Sequence, residues 1–356
     1  MKLDYIIVGF GLAGLSFCEQ LELHQKSYVV IDDDSQRASK TAAGIYNPTN
    51  LKRFTGVWKA KAHTKVLPPF FKQVEARIGV EVNQQIPVYR RIGSVEEQND
   101  WVVASDNPKL TPFLSNDFVV NDNPAIDAHH GFGEVLQTGR IDTNALLGSY
   151  KGYLRASDKF IEASFMYNKV GFLENGAGYG EFTARHIVFC EGYGLTKNPF
   201  FNYLPLKGNK GEYLVIKASR LKMDFILKAS LFVVPLGEDL YKVGATFNRE
   251  DKTNKTTDGA KLDLVEKLGK TINCDFEVID QVAGIRPTTG DRKPLLGTHP
   301  EHGQLAILNG FGSRGILMSP SLSHQLYDHL ENRAMLDPET NIKRFERRYS
   351  RHKHLR

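Results

Sequence analysis

The stretch YIIVGFGLAGL near the amino terminus constrains the fold of this chain more than any other. DYIIVGF has five apolar residues in a short run and is predicted to be a buried strand, and LAGLSFCEQLELHQ after it has the apolar spacing of a helix. The turn between them follows the pattern GxGxxG, formed by Gly9, Gly11 and Gly14. Because SYVVIDDD is predicted to be a second strand, the chain begins with a complete βαβ unit.

This glycine turn is typical of dinucleotide binding. The first glycine permits a tight turn, the second lets the backbone approach a pyrophosphate, and the third lets the helix pack on the strand. The free N–H groups at the start of the helix favour phosphate. Asp32 follows Gly14 by 18 residues and is placed to accept hydrogen bonds from a ribose hydroxyl. The residues predicted to hold the dinucleotide here are Gly9, Gly11, Leu12, Ala13, Gly14, Asp32 and Asp33.

The turn alone does not separate NAD from FAD, because both contain that ribose. A glycine-rich turn followed by an acidic loop is the alternative that involves no cofactor. The rest of the chain does not continue with the regular strand and helix alternation of a simple nicotinamide-binding domain. The nature of the cofactor therefore depends on segments further along.

Those segments predict two interleaved domains. RIDTNALLGSYKGYLRAS is predicted to be a helix capped by Asp142 or Thr143, whereas Pro68 and Pro69 are expected to kink or divide a helix near residues 56–78. Adjacent strands with short turns between 206 and 280 predict an antiparallel sheet. The predicted fold is α/β (α+β overall), with a discontinuous Rossmann-like domain and a second domain built on a mostly antiparallel sheet. The predicted bounds are 1–78, 139–205 and 281–342 for the first domain, 79–138 and 206–280 for the second, and 343–356 for a basic carboxy-terminal tail.

The charge of the chain is concentrated in that tail. The net charge is +5, but residues 343–356 carry seven Lys or Arg and one Glu, a net +6, so the remainder carries 5 − 6 = −1. The charge of −1 on the remainder of the chain disfavours nucleic-acid binding. The tail is expected to be a solvated or frayed terminus, with RNA contact as the alternative. No 18 consecutive residues are apolar, and the three cysteines share no motif spacing, so we expect no membrane span and a cytoplasmic protein.

Four further stretches identify a family when they are taken together: ASKTAAGIYNP, FCEGYG, GIRPTTGDRKPLLG and NGFGSRGILMSP. In order and spacing, from residue 1 to about residue 330, the chain resembles the D-amino-acid oxidase superfamily of FAD enzymes, which includes glycine oxidase and sarcosine oxidase. The resemblance implies an FAD cofactor. Non-covalent binding is expected because ASKTAAGIYNP contains no Cys or His and the attachment position of sarcosine oxidases falls near Ile285.

The resemblance also implies further cofactor contacts. The small-residue loop would contact the pyrophosphate and flavin, FCEGYG would lie beside the cofactor, and the last stretch would direct N–H groups and a helix dipole at the flavin pyrimidine, where the reduced ring gathers negative charge. Arg37 is interpreted either as a phosphate ligand or as a solvated side chain, and a backbone contact to adenine is expected near Phe165. The residues implied are Arg37, Ser39, Thr41, Ala42, Ala43, Gly44, Ile45, Phe165, Glu191, Gly192, Gly312, Ser313, Arg314, Gly315 and Ile316.

Two side chains are implied in the chemistry. Arg286 matches the arginine that clamps the substrate carboxylate in the family, where a guanidinium fork fixes both charge and orientation. A structural arginine in an ion pair is the alternative. Lys242 aligns with a lysine that sarcosine oxidases place near flavin N5 to promote reaction with oxygen, and a lysine facing the surface is the alternative. Tyr241 would then point to the opposite face of the strand.

Two of the residues predicted to contact the substrate differ from those typical of the family. Tyr46, Phe232, Ser313 and Arg286 are the predicted substrate contacts. Phe232 occupies a position where amino-acid oxidases often have Tyr, and Ser313 occupies one where glycine oxidase has a second Arg. Both changes put simple glycine or D-alanine oxidation in doubt.

The reaction implied by the resemblance is oxidation of a C–N bond in a small amine or amino acid. A hydride passes from the carbon to flavin N5 and leaves an imine, and oxygen or another acceptor reoxidises the flavin. The alternatives are a dehydrogenase that uses a quinone or carrier, an FAD domain acting on a carboxymethylamino group in tRNA modification, and a flavin-binding protein without turnover. No metal site is predicted, because the histidines lack ligand spacing. The oligomeric state stays open.

Overall fold

The computed structural model describes residues 1–354, which form two large sheets with helices packed around them. The strands are β1 (Lys2–Val8), β2 (Tyr28–Asp32), β3 (Ile45–Tyr46), β4 (Thr49–Asn50), β5 (Thr55–Gly56), β6 (Asn83–Gln84), β7 (Val88–Arg91), β8 (Leu114–Val119), β9 (Phe132–Val135), β10 (Gly139–Ile141), β11 (Phe160–Glu162), β12 (Val170–Leu173), β13 (Gly176–Tyr179), β14 (Phe182–Phe189), β15 (Leu206–Lys217), β16 (Ile226–Lys228), β17 (Phe232–Gly237), β18 (Leu240–Gly244), β19 (Glu277–Thr289), β20 (Leu295–Thr298) and β21 (Leu305–Asn309). The helices are α1 (Leu12–Leu23), α2 (Ala38–Thr41), α3 (Ala60–Ile78), α4 (Val95–Ser105), α5 (Thr143–Ala156), α6 (Asp258–Gly269), α7 (Gly315–Asn332) and α8 (Glu346–Lys353).

The first sheet contains the predicted βαβ unit. Its strand order is β11-β2-β1-β14-β13-β12, and the pairs β11–β2, β2–β1, β1–β14 and β14–β21 are parallel. β14 pairs with β13 through its first residues and with β21 through its last ones, and β20 pairs antiparallel with β21. The glycine turn after β1 therefore lies at the same edge as the loops that follow β2, β14 and β21.

Apolar cores cover both faces of the first sheet. In β1, Tyr5 and Ile7 belong to the core that contains side chains of α1, α3, α5 and α7, whereas Ile6 and Val8 belong to the core on the other face. Both faces of β1 are buried because parallel strands are covered on both sides, which explains why its sequence is a continuous apolar run.

The second sheet is mostly antiparallel, as the sequence predicts. Its order is β19-β15-β18-β17-β16-β7-β9-β8, and β16–β7 is its parallel pair. β15 and β19 pair over the whole length of β15. β19 runs through residue 281, where the sequence predicted a return to the first domain, and the domain bounds stay a prediction.

Of two local predictions, one differs from the structure and the other is confirmed. α3 is one helix that is not divided at Pro68 and Pro69, because Leu67, Phe70 and Phe71 are buried in the core that α3 shares with α7. This tertiary packing offsets the hydrogen bonds that the prolines cannot donate. The predicted helix after residue 139 is confirmed as α5, with Asp142 as its N-cap.

The described part of the basic tail forms a 3₁₀ turn and α8 with most of its basic side chains exposed, so it is solvated, as expected, but not frayed. Phe345 packs on the core of the first sheet, and Arg344 pairs with Asp291 at 3.0 Å. Arg348 also donates to the Tyr203 carbonyl. Residues 355 and 356 of the predicted tail lie outside the described residues. Among residues 1–354, no helix is long and apolar enough to cross a membrane.

Candidate active site

A cavity lies where the strand ends of the first sheet meet one face of the second sheet. Loops after β1, β2, β14 and β21 line one side of it, and residues of β15, β16, β17 and β19 line the other. Ligands of open parallel sheets bind in the crevice outside the carboxyl ends of the strands. The position of this cavity agrees with that rule.

The glycine turn is packed so closely that larger residues do not fit. Gly9 has a φ of +94°, and a Cβ added there would lie 2.7 Å from the Cys190 carbonyl oxygen. A Cβ added at Gly14 would lie 2.1 Å from the Gly9 carbonyl oxygen. Gly14 therefore brings α1 against the turn, and Gly9, Gly11, Leu12 and Ala13 line the cavity.

Two carboxylates line the cavity beside this turn. Asp32 accepts hydrogen bonds from the backbone N–H groups of Phe10 (3.0 Å) and Asp34 (3.2 Å), and burial raises its pKa. Glu191 is buried, and burial raises its pKa to about 7, although it accepts hydrogen bonds from Tyr167 and from Asn198 Nδ2 (2.8 Å). Asp32 is therefore tied to the turn that follows β1, whereas the Glu191 carboxylate is held by Tyr167 and Asn198.

The small-residue loop forms another wall. Gly44 has a φ of +83°, and a Cβ there would lie 2.1 Å from the Ile141 carbonyl oxygen. Thr41 Oγ1 donates to the Ala283 carbonyl at 3.0 Å, which holds the loop against β19. The predicted residues of this loop that line the cavity are Ser39, Thr41, Ala42, Ala43, Gly44 and Ile45.

The loop after β21 is joined to the small-residue loop and β4 by a partly buried cation. The guanidinium of Arg314 donates to the carbonyls of Asn47 (2.8 Å) and Thr49 (3.0 Å), and burial lowers its pKa to about 10. Because both carbonyls are neutral, they do not compensate the positive charge that Arg314 carries beside the cavity. The predicted residues of the loop and helix start that line the cavity are Gly312, Ser313, Arg314, Gly315 and Ile316.

The residues present fit FAD. The turn leaves room for backbone contact with a pyrophosphate. Asp32 lies at the end of β2, where a ribose would bind, and Gly192 also lines the cavity. Ala43 and Gly44 offer a flat wall to a ring, and the start of α7 offers N–H groups to its electron-rich edge.

Arg286 reaches the cavity from β19. Its guanidinium lies over Gly211 of β15, where an added Cβ would lie 2.0 Å from Nη2. It donates to the Thr246 carbonyl at 3.3 Å and lies 6.0 Å from the centre of the Tyr213 ring. Among the described residues, no carboxylate forms an ion pair with it, which disfavours the structural alternative.

Lys242 is buried, with 8% of its surface exposed, so the surface-facing alternative is wrong. Its Nζ donates to the Ala42 carbonyl at 3.1 Å and lies 5.4 Å from the centre of the Tyr213 ring. Burial, followed by the charge of Arg140, lowers its pKa to about 8. Tyr241 points into the opposite core, where its hydroxyl accepts from the Met223 N–H. Lys242 thus supports the loop from behind and does not itself line the cavity.

Several predicted residues lie outside the cavity wall. Tyr46 is buried with its hydroxyl on Asn83 Oδ1 (3.1 Å), and Phe165 stacks on Tyr179 at 4.2 Å. The predicted site residues that do not line the cavity are Gly14, Asp33, Arg37, Tyr46, Phe165 and Lys242. Phe232 and Ser313 do line it.

The sequence reasoning missed part of the wall formed by the second sheet. Tyr213, Lys228 and Gly211 line the cavity, together with Asn47 and Lys52 of the loops. Gly211 and Tyr213 are two residues apart in a predicted strand, so the alternation of β residues put them on one face. The spacing of two residues therefore predicts that Gly211 and Tyr213 share one face of the sheet, which is the face on which Arg286 lies.

Comparison with known proteins agrees with this geometry. The family described as FAD dependent oxidoreductase matches residues 4–328. Glycine oxidase of Geobacillus kaustophilus is 30% identical over 93% of this chain and 94% of its own length, and that of Bacillus subtilis is 23% identical over 94% and 95%. The crystal structure of glycine oxidase from Bacillus cereus superposes with a TM-score of 0.77 at 19% identity, covering 94% of this chain and 96% of that one.

These matches confirm the predicted fold class, the FAD cofactor and the enzyme class, an oxidoreductase. The chain therefore belongs to the FAD-dependent oxidoreductase family of D-amino-acid oxidase, glycine oxidase and sarcosine oxidase.

Proposed function

We propose that this chain oxidises a C–N bond of a small amine or amino acid whose carboxylate is bound by Arg286. The position of Arg286 carries the proposal. It is a cation at the wall of the cavity, and its hydrogen-bond acceptor, the Thr246 carbonyl, is neutral. A carboxylate would supply the charge that this guanidinium lacks, in a two-point geometry that fixes orientation. The glycine oxidase relatives support an amino-acid substrate.

Orientation is the main contribution of the protein. FAD, when bound, supplies the acceptor for the hydride of the C–H bond next to nitrogen. Arg286 holds one end of the substrate, while Tyr213 and Phe232 form walls beside it. The carboxylates that line the cavity among residues 1–354 are Asp32 and Glu191, and both are held by hydrogen bonds within the protein. An amine that binds neutral needs no protein base at its nitrogen, because its electron pair is already free.

The test is an anaerobic titration of the FAD-loaded protein with amino acids, N-methyl amino acids and matched amines that lack the carboxylate. We expect carboxylated amines to bleach the oxidised flavin band. Arg286→Ala is expected to lower kcat/KM for them by roughly 30-fold or more, because truncating one partner of a charged pair costs about 2–5 kcal/mol. Arg220→Ala, which removes an exposed arginine paired with Asp275, is the matched control.

Two results would contradict the proposal. Equal losses on carboxylated and neutral amines would show that Arg286 is not the clamp, and failure of every amine to bleach the flavin would favour a flavin-binding protein without turnover. Oxygen consumption against dye reduction then identifies the electron acceptor. The cytoplasmic location and the absence of nucleic-acid partners stay predictions.

A further inference from the structure

The cavity face of the second sheet carries a second cation, Lys228. Cross-strand register places Tyr213 of β15 opposite Gly244, Gly244 opposite Phe232 of β17, and Phe232 opposite Lys228 of β16. Directly paired residues point to the same face of a sheet. Tyr213, Phe232 and Lys228 therefore form one row across the wall on which Arg286 also lies.

Lys228 has no anionic partner within the described part of the chain. Its Nζ donates to the Ala229 carbonyl and lies 4.9 Å from the centre of the Phe232 ring. Burial, followed by the charges of Arg90 and Lys52, lowers its pKa to about 8. The neighbouring Arg90 has its own carboxylate, that of Glu97 at 3.1 Å. An anion beside Lys228 would offset both its burial and this repulsion.

The surroundings of Lys228 are also cationic. Lys52 lines the same cavity and an adjoining surface pocket, which also contains Arg53 and Arg292. The acids in that pocket are already bound: Glu212 pairs with Lys210 at 3.3 Å, and Asp263 pairs with Lys267 at 2.6 Å. Within residues 1–354 the part of the cavity formed by the second sheet thus has cations and no carboxylate.

The two cations are separated by a distance that a short dianion can span. The guanidinium of Arg286 lies over β15 at Gly211, and the ammonium of Lys228 lies over Phe232 of β17, two strands away. Two strand spacings of roughly 5 Å each, combined with the offset of two residues between Gly211 and the row of Tyr213, give a separation of roughly 12 Å. Charge-assisted hydrogen bonds of about 2.8 Å at each end leave roughly 6 Å between the bound oxygens.

We propose that the substrate is an amine with two acidic groups, one bound by Arg286 and the other, a carboxylate or a phosphonate, bound by Lys228. This inference rests on the proposed function and narrows its substrate class. A lysine ammonium is a point charge without the planar fork of arginine, so it accepts either acid. Phe232 lies next to Lys228 on the row, on the side toward Arg286, and contacts the apolar centre of such a substrate.

The test compares iminodiacetate with its monoamide, which has the same shape and one negative charge less. In the FAD-loaded wild type we expect kcat/KM to be about 10- to 100-fold higher for the diacid, the range of a hydrogen bond to a charged group. Lys228→Gln should reduce this ratio at least about 10-fold, and Lys228→Arg should restore most of it. Lys217→Gln, which removes an exposed lysine at the end of β15, is the control and should keep the wild-type ratio. Comparison of kcat/KM for iminodiacetate with that for N-(phosphonomethyl)glycine shows whether Lys228 prefers a carboxylate or a phosphonate.

A binding measurement separates this inference from the proposed function. Thiodiacetate has sulphur in place of the amine and cannot form an imine, so its Kd is read from the perturbed flavin spectrum without turnover. If no amine is oxidised but thiodiacetate binds at least about 10-fold tighter than its monoamide, and Lys228→Gln abolishes the difference, the dianion site stands and the proposed function fails. If amines are oxidised but the wild type does not discriminate the diacid from the monoamide, the dianion site is overturned. Parallel losses on both ligands in Lys228→Gln would overturn it as well.

Discussion

Arg314, which is partly buried, and Lys242, which is buried, are cations that bind carbonyls in the segment from Ala42 to Thr49. Arg314 holds Asn47 and Thr49 from the side of the first sheet, and Lys242 holds Ala42 from the second sheet. Since a carbonyl only partly replaces water around a charge, burial lowers both pKa values. We infer that these residues position the small-residue loop, and the oxygen-activating role of Lys242 stays a prediction.

Lys242 makes stability depend on pH in a predictable direction. Its pKa falls from 10.5 to about 8 on folding, so between these pH values the unfolded chain holds a proton that the folded chain has released. Stability therefore rises with pH across this window. We compare the unfolding free energy of the wild type with that of Lys242→Met. As the pH rises from 7 to 10.5, the value for the wild type should increase by up to about 3 kcal/mol relative to the variant. Denaturant unfolding at stepped pH measures this, and parallel curves for the two proteins would contradict it.

Lys242→Met also tests the role in oxygen reaction. If the ammonium promotes that step, reoxidation of the reduced flavin in stopped flow should slow by about 10-fold or more, whereas anaerobic reduction by substrate changes less. A purely structural role would instead weaken FAD binding and leave the reoxidation rate of the loaded enzyme unchanged.

The glycine turn gives a second prediction for a single residue. Gly14→Ala places a Cβ 2.1 Å from the Gly9 carbonyl oxygen, so α1 must shift away from the turn. We expect a loss of about 1–3 kcal/mol in unfolding free energy, together with less FAD per protein. Gly152→Ala in α5 is the control, since its Cβ would have no atom within 4 Å and alanine favours the helix by up to about 1 kcal/mol. Equal behaviour of the two variants would refute the close-packing explanation.

The carboxy-terminal elements are held by packing rather than by charge alone. The 3₁₀ turn Ile342–Phe345 and α8 contact the core of the first sheet through Ile342, Phe345 and Tyr349. The ion pair of Lys353 with Glu301 is exposed and contributes little. The apolar side chains therefore account for its position.

Phe345→Ala tests that account. Because Phe345 is partly buried against this core, we expect a loss of about 1–2 kcal/mol, seen as a thermal midpoint lowered by a few degrees. Met335→Ala, at a side chain that is 98% exposed, should change the unfolding free energy by no more than about 0.5 kcal/mol. Unchanged stability in Phe345→Ala would mean that α8 is held by its charges instead.

The whole molecule is arranged around the cavity between its two sheets. Loops of the first sheet and one face of the second line a single cavity, so a ligand there contacts both. A ligand that binds only the folded state adds stability according to its concentration and Kd. FAD is thus expected to couple the stability of the two sheets.

Removal of FAD tests this coupling. At a free FAD concentration about 100 times Kd, the holoprotein should exceed the apoprotein by about 2.7 kcal/mol in unfolding free energy. Hydrogen exchange should rise on removal in β15 and β19 as well as in the turn after β1. Protection lost only around the first sheet would contradict the coupling.

Much of the cofactor half of the site could be predicted from the sequence, because its signals are local. GxGxxG after β1 and Asp32 at the end of β2 come from one βαβ unit, and Arg286 was found through a contiguous motif. The undivided α3 could not be predicted, since the packing of Leu67 and Phe70 against distant residues outweighs the local effect of two prolines.

The sequence by itself determined the βαβ turn and the resemblance that implied FAD, because both depend on residues close together in the chain. Only the tertiary structure decided that Lys228 joins Arg286 on one wall, that Tyr46 and Phe165 lie outside it, and that Lys242 is buried under the small-residue loop. The register of β15, β18, β17 and β16 places Lys228 on this wall. Register depends on pairing between segments far apart in sequence, and a shift of one residue turns every side chain to the opposite face.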